Sequence, residues 1–354
     1  MFGRLVQLNG ALWPQLLANR QGHRMRRREF IGILGGALAW CGPLARAQQS
    51  IKKTIAMVAP HRSVEELKTH PYYRTFIDQL SSLGFVEGDN LVVNRYTGNN
   101  QMGTYPDLAR AVVSTGPDAI LTVASPLAFA FKAATRTIPI VAITGDPVVS
   151  GLVSSLARPG GNLTGATVDA GVELYGKRLE LLVELRPHAS SVGYLASSQN
   201  WRTTQAAAAR EAAHRANIAL THLNLGETLS KPAYLAAFGL LKGTTIDALL
   251  VSDEPEHLKN SKTLVDLAAD ARIPTMYPFR DLVLAGGLMA YAIDFIEVFR
   301  NAGREMAAIL QGQSPAEIPV YEPTKFLLII NTKAARGIAL DLSPTILARA
   351  DEVI

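Results

Sequence analysis

The sequence predicts an α/β protein of two doubly wound, parallel-sheet lobes with a hinged cleft between them. Three patterns predict this class. Strand-like and helix-like segments alternate from residue 52 onward, which is the order typical of parallel sheets wound with helices. The predicted strands are almost continuously apolar, as strands buried on both faces are. The alternation restarts after Gly161, and two lobes joined in series suit closure about a hinge.

Hydrophobic periodicity defines the elements of the predicted first lobe. In chain order they are strand 53–60, helix 71–85, strand 90–96, helix 105–116, strand 118–124, helix 125–136 and strand 138–144. Ser125 is expected to be the N-cap of its helix, because Ser suits a cap and Pro126 suits a first turn. Pro159-Gly160-Gly161 is expected to be the turn into a crossover near residues 158–166.

The second lobe repeats the same alternation of segments. In chain order they are helix 173–187, strand 190–196, helix 203–216, strand 218–225, helix 232–243, strand 246–252, helix 255–272, strand 273–277, strand 287–294, helix 295–312, strand 325–331 and a helical tail over 344–354. Neither lobe contains a low-complexity linker or a convincing sequence repeat. The repetition is therefore one of architecture.

The basic charge of the chain is concentrated in a predicted leader. Residues 1–47 hold seven of the 35 Lys and Arg and one of the 30 acidic residues, which leaves 28 basic against 29 acidic residues in the body. A neutral body argues against nucleic acid as a partner. Residues 25–49 combine a basic start, an apolar run and a small-residue site at 45–47, as a signal peptide does. The run is too short to span a bilayer.

Two details of the leader refine the prediction of export. Arg27-Arg28 begins a twin-arginine pattern, and Met25 is a candidate start. Cleavage after Ala47 would place the mature N-terminus near Gln48. Cys41, the one cysteine of the sequence, lies inside this leader. We therefore expect a cysteine-free exported protein without disulfides or thiol chemistry.

The sequence contains no signature of catalysis, a metal or a cofactor. It has no phosphate-binding loop, no dinucleotide fingerprint after the first strand, no paired metal-binding histidines and no nucleophile elbow. We accordingly predict no catalytic residue, no metal and no cofactor.

Candidate ligand-binding residues follow from the predicted topology, because open parallel sheets bind ligands beyond the carboxyl ends of their strands. Ser125 opens a helix whose free N–H groups favour an anion, although capping alone would also explain it. Asp146 suits either a ligand ammonium or a cap for a helix that begins at Pro147. Asp253 follows a strand of the second lobe, and Asp294, which follows another, is with Asp146 a candidate partner for a ligand ammonium. Arg62 lies in the loop after the first strand.

Two tyrosines at predicted strand ends complete the candidates. Tyr277 and Tyr291 are each suited either to wall an apolar pocket or to pack in a core. Spacing along the chain does not distinguish these roles. Both alternatives stay open at this point.

Four long motifs resemble those of one protein family. They are "GDPVVSGLVSSLARPGGNLTG", "YGKRLELLVELRPHASSVGYL", "FRDLVLAGGLMAY" and "EPTKFLLIINTKAARGIALDLSPTILARADEVI". With them the chain resembles the tryptophan-binding-type family of ABC-transporter substrate-binding proteins over nearly all of residues 50–354. The resemblance implies a type I periplasmic-binding-protein fold with three crossovers and a ligand between the lobes. It also implies amino-acid-like ligands, aromatic in the namesake members.

The resemblance sets further expectations. The first lobe should comprise residues 50–160 and about 293–320, and the second lobe 161–292 and about 321–354. The partners should be a small amino-acid-like molecule and the permease subunits of an ABC importer, and the protein should be a periplasmic monomer without a membrane span. Two other classes stay open, an effector-sensing domain of the lac-repressor type and an exported enzyme on the same scaffold. A leader in place of a DNA-binding motif disfavours the first.

Overall fold

Strands and helices alternate along the described chain as the apolar pattern predicts. A computed structural model describes residues 52–99, 101–169, 171–241 and 243–354. The predicted leader and its cleavage site lie outside these residues. The described residues belong to one compact unit.

The bounds of the elements are as follows. The strands are β1 (Lys53–Ala59), β2 (Leu91–Thr97), β3 (Ala119–Val123), β4 (Ile140–Thr144), β5 (Leu163–Thr167), β6 (Ser191–Ala196), β7 (Ala219–Asn224), β8 (Ala248–Val251), β9 (Thr275–Tyr277), β10 (Met289–Ile293), β11 (Phe326–Ile330) and β12 (Glu352–Val353). The helices are α1 (Glu66–Thr69), α2 (Pro71–Ser82), α3 (Tyr105–Ser114), α4 (Ser125–Ala134), α5 (Glu173–Leu185), α6 (Thr204–Arg215), α7 (Lys231–Leu241), α8 (Glu256–Lys259), α9 (Ser261–Asp270), α10 (Arg280–Leu284), α11 (Phe295–Leu310), α12 (Thr332–Gly337) and α13 (Pro344–Arg349).

The strands form two open sheets, one in each lobe. The first sheet has the order β2-β1-β3-β4-β5, and all its neighbours are parallel. The second has the order β12-β11-β10-β9-β8-β6-β7, with antiparallel pairing between β10 and β11 alone. The prediction of two doubly wound, largely parallel sheets is therefore confirmed.

Each sheet is covered on both faces, which explains why its strands read as continuous apolar runs. Along β1, Ile55 and Met57 lie in one core cluster, whereas Ala56 and Val58 lie in another on the opposite face. The helix α11 packs in the first of these clusters, although it follows a strand of the second sheet. The chain therefore returns to the first lobe after building most of the second.

Three short segments connect the lobes. The chain leaves the first sheet after β5 and enters the second lobe at α5, so the first crossover is residues 168–172. Asp294 alone separates β10 from α11 and forms the second crossover. The third runs from Tyr321, which forms a bridge with Ala166 of β5, to the start of β11.

The position of the first crossover corrects the sequence analysis. Residues 163–167 form β5 and pair with β4 in the first sheet, so the crossover does not lie near 158–166. Pro159-Gly160-Gly161 consequently leads into a strand of the first lobe. The segment "LTGAT" escaped the apolar pattern because it contains two Thr and one Gly among five residues.

The C-terminal tail also differs from the prediction. The helix α13 ends at Arg349, and residues 352–353 add the edge strand β12 beside β11. Two residues are too few for an alternating pattern to be visible in the sequence. Among the residues that the structure describes, no helix has the length and apolar character needed to cross a bilayer.

Candidate functional site

The candidate site lies where the carboxyl ends of the strands of the two sheets come together. Tyr72, in the first turn of α2, donates from its hydroxyl to Asp281 Oδ2 over 3.2 Å. Asp281 belongs to α10, which follows β9. The rings of Phe279 and Phe295, which lie on opposite lobes, meet edge to face with centroids 6.4 Å apart. The loops at these two edges therefore border one interlobe cleft.

The first-lobe edge carries an uncapped helix N-terminus. Ala124 is the N-cap residue of α4, and Ser125 is its first helical residue, so the prediction that Ser125 is the N-cap is wrong. Ala124 has no side-chain acceptor to offer, and the described residues provide no partner for the N–H groups of Ser125 and Leu127. Unpaired N–H groups at the positive end of a helix dipole favour an anion.

The backbone at Ala124 is itself unusual. Its φ of 77° lies in the left-handed region that disfavours residues with a Cβ atom. Such conformations are costly and recur at ligand-binding sites. Gly145 of the neighbouring loop lies close by, since a Cβ atom built on it would be 3.9 Å from Ser125 Oγ. The loops after β3 and β4 thus form one continuous surface.

Asp146 acts as a local cap in this surface. Its Oδ1 accepts hydrogen bonds from the N–H groups of Val148 at 2.8 Å and Val149 at 3.0 Å. Asp146 is therefore a cap, but residues 147–151 form a turn, so the expected helix beginning at Pro147 is wrong. The cap holds the turn after β4 and leaves Val149 85% exposed.

Asp294 is occupied in the same way at the second crossover. Its Oδ1 accepts the N–H of Glu297 at 3.2 Å and caps α11, and its Oδ2 lies 3.5 Å from Lys325 Nζ in the third crossover. The carboxylate therefore ties two crossovers together. One lone-pair position on each oxygen is thus in use, and the Lys325 ammonium already offsets the charge.

Arg62 lies at the rim of the cleft, within a cluster of polar groups after β1. Its side chain is 17% exposed, and Nη1 lies 3.8 Å from Glu66 Oε1. Burial and the Arg62 charge both lower the pKa of His61 and of His70. Both shifts favour the neutral imidazoles, and Arg62 adds a positive charge to this rim.

The second-lobe edge presents Asp253 in the loop after β8. This side chain is exposed, and no described residue forms a hydrogen bond of normal length with it. Next to it lies Tyr175 of α5, whose hydroxyl is buried and also has no hydrogen-bond partner in the described chain. Burial raises the pKa of the Tyr175 hydroxyl, and the Asp253 charge raises it further. A neutral phenol thus lies beneath the Asp253 carboxylate, and the two groups are in long polar contact without a hydrogen bond of normal length.

Arg178 lies beside Tyr175 and Asp253 in the second lobe, and we call these three side chains the polar floor of the cleft. The sequence analysis did not identify Arg178. The side chain is 2% exposed, with Nε donating to the carbonyl of Tyr291 at 2.9 Å and Nη2 to that of Pro278 at 3.3 Å. Its Nη1 is buried without a partner among the described residues. Burial lowers the pKa of Arg178, while Tyr175 and Asp253 oppose that shift.

A sequence signal for this floor does exist. Tyr175 and Arg178 are three residues apart on α5, on the stripe that also carries the buried Leu179 and Leu182. An arginine within an apolar stripe is rarely buried unless it has specific partners. The position of Arg178 within that stripe was the available indication.

The two predicted tyrosines have different roles. Tyr277 is 1% exposed, lies in the core of the second lobe and packs against Gly287, so it does not wall the cleft. Tyr291 is half-buried, with its ring tilted against Phe326 at 5.8 Å, and its carbonyl holds Arg178. Tyr291 therefore belongs to the border of the polar floor.

Comparison with known proteins identifies the class of this molecule. The family model described as ABC transporter substrate binding protein matches residues 58–354, which include all three crossovers and both sheets apart from most of β1. The chain belongs to this family. In this substrate-binding protein, none of the described residues form a group of three or more His, Cys, Asp or Glu placed to hold a metal ion.

Individual relatives agree with the family. The tyrosine-binding protein of Clostridioides difficile (strain R20291) is 28% identical over 321 residues, which is 88% of this chain and 90% of the relative. An ABC domain from Streptococcus pneumoniae in complex with L-Trp has a TM-score of 0.74 at 22% identity, with 86% of this chain and all of that one covered. A conserved domain protein from Vibrio cholerae has a TM-score of 0.73 at 24% identity and the same coverage. These structures confirm the type I periplasmic-binding-protein fold of this substrate-binding protein.

Proposed function

We propose that this protein is the exported binding component of an ABC importer and captures an α-amino acid, preferably an aromatic one, in the interlobe cleft. The lobes close about the three crossovers, and the monomeric closed complex delivers its ligand to the permease subunits. The relatives that bind tyrosine and L-Trp support this choice of ligand class.

One observation carries the proposal: one edge of the cleft favours a negatively charged ligand group, and the other edge favours a positively charged one. The uncapped start of α4 on the first lobe favours an anion such as a carboxylate. Asp253 on the second lobe is exposed and carries a negative charge that no described cation pairs at salt-bridge distance, so it suits an ammonium group. An α-amino acid carries both charges on one carbon and can bridge the two edges, which also explains why its binding would favour closure.

The proposal predicts a requirement for both charged groups of the ligand. The ligand class is tested by calorimetry on the purified mature protein with L-tyrosine and L-tryptophan. Matched analogues that lack one group are tyramine and tryptamine, without the carboxylate, and 3-(4-hydroxyphenyl)propionate, without the amine. We expect each analogue to bind at least about 30-fold more weakly than its parent, because each leaves a charged partner unpaired.

Two results would contradict this function. One is a tyramine affinity equal to that of L-tyrosine, which would show that the protein has no binding site for the ligand carboxylate. The other is a sugar or dipeptide that binds more tightly than every amino acid. Mass spectrometry of small molecules released on denaturing the purified protein gives an independent readout, because a tight natural ligand copurifies.

Export is a separate prediction, which depends on the leader. Residues 25–47 combine a twin-arginine pattern, an apolar run and Ala45-Arg46-Ala47, and we expect the mature chain to begin near Gln48. N-terminal sequencing of periplasmic protein should find that start, and an Arg27-Arg28→Lys-Lys variant should accumulate in the cytoplasm if the twin-arginine route is used. A periplasmic protein that retains residues 25–47 would rule out cleavage here.

A further inference from the structure

A buried chain of hydrogen bonds runs beneath the loop that presents Asp253. The Tyr234 hydroxyl lies 2.7 Å from His257 Nδ1, and His257 Nε2 lies 2.9 Å from Ser252 Oγ. Ser252 Oγ donates to Glu254 Oε2 at 2.7 Å. The side chains of Tyr234, His257 and Ser252 are completely buried. The chain therefore connects α7 and α8 to the residues on either side of Asp253.

The proton positions in this chain follow from the acceptor at its end. A carboxylate oxygen only accepts, so Ser252 uses its single proton on Glu254. His257 must then donate from Nε2 to Ser252, and its bare Nδ1 accepts the proton of Tyr234. Burial lowers the pKa of His257 to about 3, which keeps the imidazole in this neutral form. The Ser252 hydroxyl therefore donates its proton to Glu254, and because it is completely buried it is not exposed to the cleft. It is therefore not placed to act as a nucleophile.

The chain ends on a second cleft loop. Glu254 Oε2 also accepts the N–H of Ser197 at 3.0 Å, and Ser197 directly follows β6. The strands β6 and β8 are neighbours in the second sheet. Glu254 therefore joins the loops after two adjacent strands. Asp253 lies between Ser252 and Glu254, which these hydrogen bonds hold in place, whereas its own side chain is exposed.

We propose that the chain Tyr234–His257–Ser252–Glu254 positions Asp253 for ligand binding by fixing the loop after β8 against the loop after β6. This inference rests on the proposed function, in which Asp253 receives the ligand ammonium. Ser252 and Glu254 are positioning residues, and Tyr234 is the remote anchor. The cost of loosening the loop should appear in affinity, because a misplaced carboxylate meets the ammonium at a worse distance and angle.

The test compares a variant within the chain and a variant outside it by calorimetry with L-tyrosine and L-tryptophan, alongside melting temperatures. Ser252→Ala removes the donor to Glu254, and we expect about tenfold weaker binding, the scale of one lost hydrogen bond to a charged acceptor. Thr164→Val is the matched control, because it removes a hydroxyl that is equally buried but lies in β5 of the first sheet, where it donates to the carbonyl of Ile318 at 2.7 Å and takes no part in this chain of hydrogen bonds. It should lower the melting temperature by a similar amount and change affinity less than about threefold.

A conservative variant separates positioning from direct contact. Glu254→Gln keeps an oxygen that accepts from Ser252 and Ser197, so it should bind nearly as the wild type does, whereas Glu254→Ala should bind about as weakly as Ser252→Ala. Equal losses in Glu254→Gln and Glu254→Ala would show that the Glu254 charge contacts the ligand itself. Unchanged affinity in Ser252→Ala would overturn the positioning role. If the wild-type protein binds neither amino acid, the proposed function fails first.

Discussion

Replacement of Asp253 by Asn is expected to weaken amino-acid binding by roughly 30-fold to several-thousand-fold, the range for removing one partner of a desolvated charge pair. The free protein should be almost unaffected, because Asp253 is exposed and forms no hydrogen bond of normal length with the described residues, and such substitutions usually change stability by about 0.5 kcal/mol or less. Calorimetry gives the affinity, and thermal unfolding gives the stability.

Two matched controls remove the same charge from the same chemical group. Asp146→Asn and Asp294→Asn keep a side-chain oxygen for the caps that these residues form, and Asn caps about as well as Asp. Both should bind within a fewfold of wild type. From the sequence alone Asp146 and Asp294 were candidates for the ammonium partner, and their cap hydrogen bonds move the prediction to Asp253. Normal binding by Asp253→Asn together with a large loss in either control would reverse that choice.

The largest effect on stability is expected for Gly165→Ala. A Cβ atom on Gly165 would lie 2.0 Å from the carbonyl oxygen and 2.5 Å from the nitrogen of Ala142 on the adjacent strand β4. The φ of 140° is also unfavourable for a residue with a Cβ atom. Backbone atoms cannot move aside without separating β4 from β5. We expect a loss of more than about 4 kcal/mol in the free energy of unfolding, close to the whole stability of many domains.

The control for this variant is Gly84→Ala, where φ is 92° and no atom lies within 4 Å of the added Cβ. It carries the backbone cost alone, about 1–2 kcal/mol. Urea unfolding of both proteins measures the difference. If Gly165→Ala unfolds within about 1 kcal/mol of Gly84→Ala, then β5 is not held against β4 as described. Because Gly165 also accepts the N–H of Tyr321 at 2.7 Å, any shift of β5 should reach the third crossover.

The strands and helices that were predictable share a local signal. The apolar runs of β1, β3 and β4 and the amphipathic stripes of α2 and α11 recur at the spacing that a buried strand or a half-buried helix requires. The strand β5 lacked this signal, because pairing with β4 and bridging to Tyr321 place it in the sheet without a long apolar run.

The sequence by itself determined the class of fold and the family, because each depends on local periodicity or on continuous motifs, and it predicted the loops that we propose to bind the ligand. Tertiary structure alone decided what each polar side chain in those loops does. Asp146 and Asp294 are caps, Tyr277 is core, and Asp253 remains exposed above Tyr175. Those assignments depend on partners that the fold brings together. Arg178, for example, is held by carbonyls 100 and 113 residues away, and no pattern within a single helix specifies such a contact.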